Sequence, residues 1–164
     1  MAQIHPKTTP IYQTSVFTFE DLNDLELYFD QPDHKYMYTR YGNPNSDELA
    51  DEVNSLEGGV GAVATSSGMS AILTAVLTYC QSGDHVLCAE EIYGGSAALL
   101  SQELTRMGIA VSYVPSAEFY TLGGHVKENT RLLLAETMSN PLLQVVDLQR
   151  LAAETKRAGI KLLI

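Results

Sequence analysis

The sequence predicts an α/β domain with a mostly parallel sheet and helices on both faces. Three observations predict this fold. Predicted helices alternate with short segments that have the length of strands, these segments are apolar, and the main helices end at glycines. With 164 residues, 45% of them hydrophobic, the chain is long enough for one domain with a buried core.

The first part of the chain, residues 1–45, has a different character. It holds eight of the thirteen aromatic residues but shows no sustained helical or strand period. We therefore predict an aromatic-rich arm with one short helix near residues 20–29. The arm buries its aromatic rings either on a second subunit or on its own domain.

From residue 46 onward, the pattern of helices and strands is regular. Four helices are predicted to end at glycines suited to left-handed C-caps, over residues 46–57, 69–81, 96–107 and 148–158. A further helix is predicted around residues 118–128. The five predicted strands are residues 60–64, 85–89, 109–114, 131–136 and 160–164.

The turn at residues 65–68 joins the first predicted strand to a long apolar helix. A helix N-terminus offers backbone N–H groups and the positive end of the helix dipole, and both attract anions. Ser67 adds a hydroxyl group, and Gly68 lets a ligand approach the backbone. The turn is therefore either a phosphate site or the N-cap of a core helix that binds nothing.

Other candidates follow the remaining strands, because ligands of parallel sheets bind beyond the carboxyl ends of the strands. Tyr93, next to two glycines, can lay its ring on a flat ligand or can simply anchor its loop. Asn140, before Pro141, can present its amide to an oxygen atom or can belong to a simple turn.

Composition excludes several classes of function. A net charge of -10, from 20 acidic and 10 basic residues, argues against nucleic acid and anionic membranes as partners. No stretch resembles a signal peptide or a membrane span, so we expect a cytoplasmic protein. The phosphate motifs Gly-x-Gly-x-x-Gly after a strand and Gly-Lys-Ser/Thr are absent.

No metal site is predicted. Cys80 and Cys88 lie in apolar segments and are expected to be reduced and buried. The four histidines are scattered and are expected to be structural or on the surface: His5, His34, His85 and His125.

Five motifs in order resemble the Cys/Met-metabolism family of pyridoxal-phosphate (PLP) enzymes. The family includes cystathionine γ-synthase, cystathionine γ- and β-lyases, methionine γ-lyase and the O-acetylhomoserine sulfhydrylases. The resemblance runs from about residue 10 to residue 164. The motifs occupy residues 38–44, 56–59, 67–71, 93–95 and 136–141.

The resemblance implies a phosphate site built from two parts of the chain. By this resemblance, Ser67, Gly68 and Met69 hold the cofactor phosphate at the helix N-terminus. Tyr38 and Arg40 resemble a pair that reaches the same phosphate from a neighbouring subunit, which implies a dimer and usually a dimer of dimers. A planar guanidinium suits this task better than an ammonium group.

The resemblance also implies the chemistry and the fold. Tyr93 is similar to the tyrosine that stacks on the pyridine ring and assists proton transfer at the leaving group. Asn140 is similar to the asparagine near the cofactor's phenolic oxygen and the substrate carboxylate. The implied domains are the arm, residues 1–45, and residues 46–164 as the first part of a fold-type I, aspartate-aminotransferase-like PLP domain.

The chain departs from the family pattern in its lysines. Family members carry a Schiff-base lysine in a Ser-x-Thr-Lys context, and an aspartate that pairs with the pyridinium nitrogen, and neither motif is present. The five lysines lie in other contexts: Lys7, Lys35, Lys127, Lys156 and Lys161. A smaller departure is Met138, where the family often has proline. We expect the chain to be the N-terminal part of a larger enzyme and to be inactive by itself.

The sequence is therefore compatible with two functions. The first is elimination or replacement at the β or γ carbon of a sulfur amino acid or an activated homoserine, in cysteine and methionine metabolism. The second is a non-catalytic fragment that binds phosphate or assembles with another chain. Gly95 is more typical of the cystathionine γ-enzymes than of methionine γ-lyase. The motifs of this chain do not distinguish γ-replacement, γ-elimination and β-elimination from one another.

Overall fold

The computed structural model describes residues 6–31 and 35–164, which divide into two compact units at residue 64. The first unit contains two helices, α1 (Leu22–Asp30) and α2 (Pro44–Glu57). The second unit contains a four-stranded sheet and its helices. The division between an arm and a domain at residue 45 stays a prediction.

Both helices of the first unit begin at side-chain caps. Asp21 accepts the N–H of Asp24 at 2.9 Å before α1, close to the helix predicted near residues 20–29. Before α2, Asn43 accepts the N–H of Asn45 at 2.9 Å, and Pro44 takes the first helical position. This cap explains why α2 begins two residues before its predicted start. The helix ends at Gly58, which has a φ of 62°.

Part of the predicted arm folds back on its own chain. Val16 and Tyr38 form an isolated antiparallel bridge, and the N–H of Phe17 donates to the carbonyl of Met37 at 2.8 Å. The Asn45 side chain also donates to the carbonyl of Pro10 at 2.8 Å. All three contacts lie within residues 1–45, so they show the arm in contact with itself. Whether its rings are buried on its own domain or on a second subunit stays a prediction.

The sheet of the second unit is entirely parallel, with strand order β2-β1-β3-β4. Its strands are β1 (His85–Ala89), β2 (Ala110–Val114), β3 (Thr130–Leu134) and β4 (Lys161–Leu163). The four later strands of the prediction are thus confirmed to within two residues at each end.

The first predicted strand, at residues 60–64, is wrong. These residues form no strand, and Val60 and Val63 are exposed to solvent. A short apolar run becomes a strand only when a neighbouring strand takes up its backbone hydrogen bonds. Among the described residues, the sheet provides no such neighbour.

The core lies on both faces of the sheet. All five residues of β1 are buried, and Leu132, Leu133 and Leu134 of β3 are buried in succession. Because successive side chains of a strand point to opposite faces, a run of buried residues requires cover on both faces. The helices of this unit include α3 (Gly68–Tyr79), α4 (Gly94–Ala98), its π-helical continuation (Leu99–Leu104) and α5 (Leu148–Ala158).

Two helix predictions need correction. The helix predicted at residues 96–107 begins at Gly94 and is π-helical over Leu99–Leu104. The helix predicted around residues 118–128 is wrong, because this segment forms only short 3₁₀ turns. Gly123 and Gly124 disfavour a helix, whereas buried Phe119 and Leu122 hold the segment on the core.

The cysteine prediction is confirmed, since Cys80 and Cys88 are free and buried. Burial raises the pKa of Cys80 to about 11 and that of Cys88 to about 12. Across the described part of the chain, no helix has the length and apolar character needed to cross a membrane. His5 and His34 lie outside the described residues.

His85 is a buried polar residue at the start of β1. Its Nδ1 lies 2.8 Å from the Thr130 hydroxyl, and its Nε2 lies 2.9 Å from the Ser112 hydroxyl. The Lys127 ammonium group donates to the same Ser112 hydroxyl at 3.4 Å. Burial, followed by the positive charge of Lys127, lowers the pKa of His85 below its ordinary value of 6.5. The structural role predicted for this histidine is confirmed.

We expect this histidine to make folding stability depend on pH. Because the pKa is lower in the folded state, the unfolded chain binds the proton more readily near pH 6. The contribution of neutral His85 is therefore complete above about pH 6.5 and is lost as the pH falls through the folded-state pKa. Urea unfolding between about pH 5 and pH 7.5 measures this slope. His85→Gln should flatten it, and an unchanged slope in that variant would contradict the assignment.

Candidate functional site

The turn before α3 forms the helix N-terminus that the sequence predicts. Ser67 is the N-cap, and its hydroxyl oxygen accepts the N–H of Ser70 at 3.1 Å. The Ser66 and Ser70 hydroxyls lie 3.0 Å apart. The N–H groups of Gly68 and Met69 precede the first bond inside the helix, and they are available to an outside acceptor. Backbone donors, hydroxyls and the helix dipole are thus combined at one place.

Space next to this helix start is open. A methyl group built on Gly68 would have no atom within 4 Å, apart from its chain neighbours and the backbone of its own helix. Ser66 and Ser67 beside it are exposed, and Ser70 is half-buried. An anion can therefore approach the first turn of α3 without any rearrangement.

A cavity of about 670 Å³ opens beside this turn, within the second unit. It lies against the start of α3, the start of α4 and the carboxyl ends of β3 and β4. Most of its walls are apolar, and a few polar side chains are placed among them. The lining residues that bear on the site are Ser67, Gly68, Met69, Tyr93, Ser96 and Glu136.

Tyr93 lines this cavity from the loop after β1. It is the residue before α4, and its side chain is half exposed. Its backbone N–H donates to Oε1 of Glu136 at 3.1 Å. The structure therefore brings together two of the predicted groups, the phosphate turn of α3 and the aromatic ring of Tyr93.

Glu136 was missed as a functional candidate at the sequence level. It lies just beyond β3, lines the cavity and accepts the hydrogen bond from Tyr93. A signal was available, because Glu136 is the first residue of the motif at 136–141 and follows a predicted strand. What the sequence does not show is that this carboxylate meets the backbone of Tyr93, because the two residues are 43 positions apart in the chain.

Asn140 is not among the residues that line the cavity. It is exposed, in a loop that an isolated bridge between Met138 and Val145 closes. Within this loop, the Ser139 N–H donates to the carbonyl of Gln144 at 2.9 Å. The predicted contact of Asn140 with a cofactor therefore stays a prediction.

Tyr38 and Arg40 belong to the first unit. The guanidinium carbon of Arg40 lies 4.1 Å from the centre of the Tyr38 ring and 4.7 Å from that of Tyr41. Such cation–π contacts hold the guanidinium while leaving its N–H donors accessible. Among the described residues, Arg40 forms no ion pair, so its charge is available to an external anion.

The residues of the cavity fit a flat group that carries a phosphate. The helix start supplies donors for the phosphate, the tyrosine supplies an aromatic face, and the apolar walls suit a heteroaromatic ring. Lysine is missing from this arrangement, since none of the lysines in the described ranges lines the cavity.

Comparison with known proteins places the chain in a family. The family model described as Cys/Met metabolism PLP-dependent enzyme matches residues 2–164. An L-methionine gamma-lyase of Fusobacterium nucleatum subsp. polymorphum is 41% identical over 143 residues, which are 87% of this chain and 36% of that protein. A cystathionine beta-lyase of Lactococcus lactis subsp. cremoris is 38% identical over 149 residues, 91% of this chain and 37% of that protein.

The same relationship is visible in a solved structure. A putative O-acetylhomoserine (thiol)-lyase of Campylobacter jejuni, solved with a pyridoxyl-lysine monophosphate, superimposes with a TM-score of 0.87 at 30% identity. The match covers 94% of this chain and 38% of that one, so the fold-type I architecture is confirmed for the part of the fold present here. The chain spans a little over a third of the length of these relatives. We conclude that it belongs to the Cys/Met-metabolism family of PLP-dependent enzymes.

Proposed function

We propose that the chain is part of a PLP-dependent enzyme that eliminates or replaces a group at the β or γ carbon of a sulfur amino acid or an activated homoserine. The observation that supports this function best is the shared cavity, onto which both the Ser67-capped helix start and Tyr93 open. The relatives differ in reaction, since they include lyases and sulfhydrylases. The proposal therefore concerns this class of reactions, elimination and replacement, and not one reaction within it.

Four residues that line the cavity have proposed tasks. Ser67, Gly68 and Met69 bind the phosphate through the hydroxyl and the N–H groups of the first turn. Tyr93 lays its ring on the pyridine and holds a proton at its phenolic oxygen for the departing group. When bound, the cofactor supplies an electron sink for negative charge at the substrate α carbon. The apolar walls exclude water, which strengthens the polar contacts inside the cavity.

The remaining site residues are proposed to act at the border of the cavity. Tyr38 and Arg40 reach the phosphate from a neighbouring subunit, and this requires a homo-oligomer, which we propose is a dimer of dimers. Residues 1–45 are then the inter-subunit arm, and residues 46–164 are the first part of the cofactor domain. Asn140 approaches the phenolic oxygen of the cofactor and the substrate carboxylate. The loop 138–145 must bring it there, because it does not line the cavity described above.

A second function has its own supporting observation. In the described part of the chain, no lysine lines the cavity. Taken alone, this polypeptide would then hold PLP through the phosphate without a covalent bond, and it would act as a non-catalytic module. The intact mass of the natural protein after borohydride treatment separates the two functions. A mass well above 17.9 kDa that includes a covalent pyridoxyl adduct would support the enzyme, and a mass near 17.9 kDa without an adduct would support the module.

A substitution at Gly68 tests the phosphate site. Gly68→Ala places a methyl group in the open space at the helix start, so we expect PLP to bind on the order of tenfold more weakly, the loss of one charge-assisted hydrogen bond. Stability should stay equal or rise, because alanine favours the helix. The dissociation constant from a fluorescence titration and the melting temperature measure both effects.

Gly123→Ala is the matched control. A methyl group at Gly123 also meets nothing within 4 Å, but this glycine lies outside the residues that line the cavity. It should leave the dissociation constant unchanged. Equal affinity for PLP in the Gly68 and Gly123 variants would remove the helix start from the proposed site.

A further inference from the structure

Ser96 differs from the other buried polar residues in the described part of the chain, because its side chain has no hydrogen-bond partner there. Ser96 is 2% exposed. The other buried polar residues each form at least one side-chain hydrogen bond: Asn43, Asp84, His85, Thr130, Ser139 and Thr155. A buried hydroxyl group without a partner loses its hydrogen bonds to water and gains none in return. The bare hydroxyl of Ser96 therefore needs an explanation.

The usual partner of a helical hydroxyl is also missing at this position. A serine or threonine inside a helix often donates to the carbonyl three or four residues earlier. Thr155 does so in α5, where its hydroxyl donates to the carbonyl of Leu151 at 3.1 Å. Ser96 is the third residue of α4, so the residue four positions earlier lies in the loop before the helix. Within the described chain Ser96 makes no such bond, and its proton is available to another acceptor.

The Ser96 hydroxyl meets the cavity beside α3 and α4. Ser96 is one of the residues that line this cavity. Among the described residues that are not exposed, Oδ1 of Asn54 is the only side-chain polar atom that is fully enclosed and has no partner. The Ser96 oxygen has no partner either, so it is not fully enclosed and keeps some accessible surface. Since the free space at Ser96 is the cavity, a ligand in the cavity can reach this oxygen.

The polar groups that line the cavity offer different chemistry to a ligand. The helix start at Ser67 offers donors for a phosphate. Glu136 offers acceptors when it is ionised, and one of its oxygens already accepts the N–H of Tyr93 at 3.1 Å. Ser96 offers a hydroxyl proton within a mostly apolar wall. Its complement is an acceptor atom on the edge of a ring, and in PLP the phenolic oxygen is the strongest such acceptor.

We propose that Ser96 is a specificity-determining residue of the cofactor site, which donates its hydroxyl proton to the phenolic oxygen of the heterocycle. The inference rests on the proposed function, in which the cavity takes a flat heterocycle that carries a phosphate. Asn140 is proposed for the same oxygen, which can accept two hydrogen bonds, but only Ser96 lines the cavity. A ring without this oxygen leaves the buried hydroxyl unpaired, so the site distinguishes the two kinds of ring.

The test uses two probes that cannot form a Schiff base, because neither carries an aldehyde. The first is 4-deoxypyridoxine 5′-phosphate, which has the phenolic oxygen. The second is pyridin-3-ylmethyl phosphate, which has the ring nitrogen and the phosphate but lacks that oxygen. We expect Ser96→Ala to weaken binding of the first probe roughly three- to tenfold, the loss of one hydrogen bond, and to leave binding of the second unchanged. Isothermal titration calorimetry measures both affinities.

Two further variants serve as controls. Ser101→Ala makes the same change on the π-helical continuation of α4, at an exposed residue that does not line the cavity, and it should alter neither affinity. Gly68→Ala should weaken binding of both probes, because both carry the phosphate. Ser96→Ala should also keep or raise the melting temperature, since it removes a buried hydroxyl without a protein partner and alanine favours the helix.

Each contrary outcome has a separate meaning. Unchanged affinity of Ser96→Ala for the first probe overturns the inference, and so does an equal loss for both probes, which would assign the hydroxyl to the phosphate or to packing. A melting temperature several degrees lower would show that the hydroxyl has a structural partner, and it would also overturn the inference. In these cases a loss of both probes in Gly68→Ala would leave the proposed function standing. A wild-type chain that binds neither probe would defeat the proposed function itself.

Discussion

Replacement of Arg40 by alanine is expected to weaken PLP binding by roughly 10- to 100-fold, the loss of a charged hydrogen-bonding partner of the phosphate. The guanidinium is held over the Tyr38 and Tyr41 rings, and it forms no ion pair among the described residues. Its removal should therefore leave the fold intact. The dissociation constant for PLP and the oligomeric state by light scattering measure the two expected effects, a loss of cofactor and a looser oligomer.

Arg40→Lys provides the control for charge. It keeps the positive charge and loses the planar fork of donors, so we expect an affinity between those of the wild type and Arg40→Ala. An Arg40→Ala variant that binds PLP as tightly as the wild type would remove Arg40 from the site.

The proposal that Arg40 acts on a neighbouring subunit can be tested by mixing variants. A mixed dimer of Arg40→Ala and Gly68→Ala chains contains one intact site if the two residues meet across subunits. It contains none if both residues serve the site of their own chain. Recovery of high-affinity binding in part of the mixed sample is therefore expected. An affinity no better than that of either variant alone would place Arg40 in the site of its own chain.

The second large effect concerns the sheet. Leu132→Ala and Leu133→Ala are each expected to lower the free energy of unfolding by about 2–5 kcal/mol, a large part of the 5–15 kcal/mol typical of a domain. Both side chains are fully buried on β3, and as neighbours they point to opposite faces. Comparable losses are expected because both faces are covered.

Denaturant unfolding of both variants measures these losses. Leu142→Ala is the matched control, since it removes the same atoms from a leucine that is 62% exposed. It should change stability by less than about 0.5 kcal/mol. A large loss at only one of the two β3 positions would indicate a sheet that is covered on one face, against the predicted fold class.

Local signals explain why most of the second unit could be predicted. The span of β1 matches its prediction because His85–Ala89 is apolar and is followed by polar residues and glycines. Helix α5 also matches, because Asp147 caps its start and Gly159, with a φ of 71°, ends it. Such caps act within a few residues, so the sequence shows them directly.

The errors come from segments whose structure depends on distant partners. Residues 60–64 have the composition of a strand, but a strand also needs another strand to accept its hydrogen bonds. Residues 118–128 contain helix-forming side chains, but two glycines and the burial of Phe119 favour short turns. Neither the hydrogen-bonding partner nor the burial is visible in a local pattern.

By itself, the sequence determined the fold class, the family and the helix start at Ser67 and Gly68, because these depend on periodicity, caps and motifs that are local in the chain. Only the tertiary structure decided that Tyr93 opens onto the same cavity as that turn and that Asn140 does not. It alone showed that Glu136 holds the Tyr93 backbone. These relations depend on distances between side chains from different strand-end loops, and packing of the strands sets those distances.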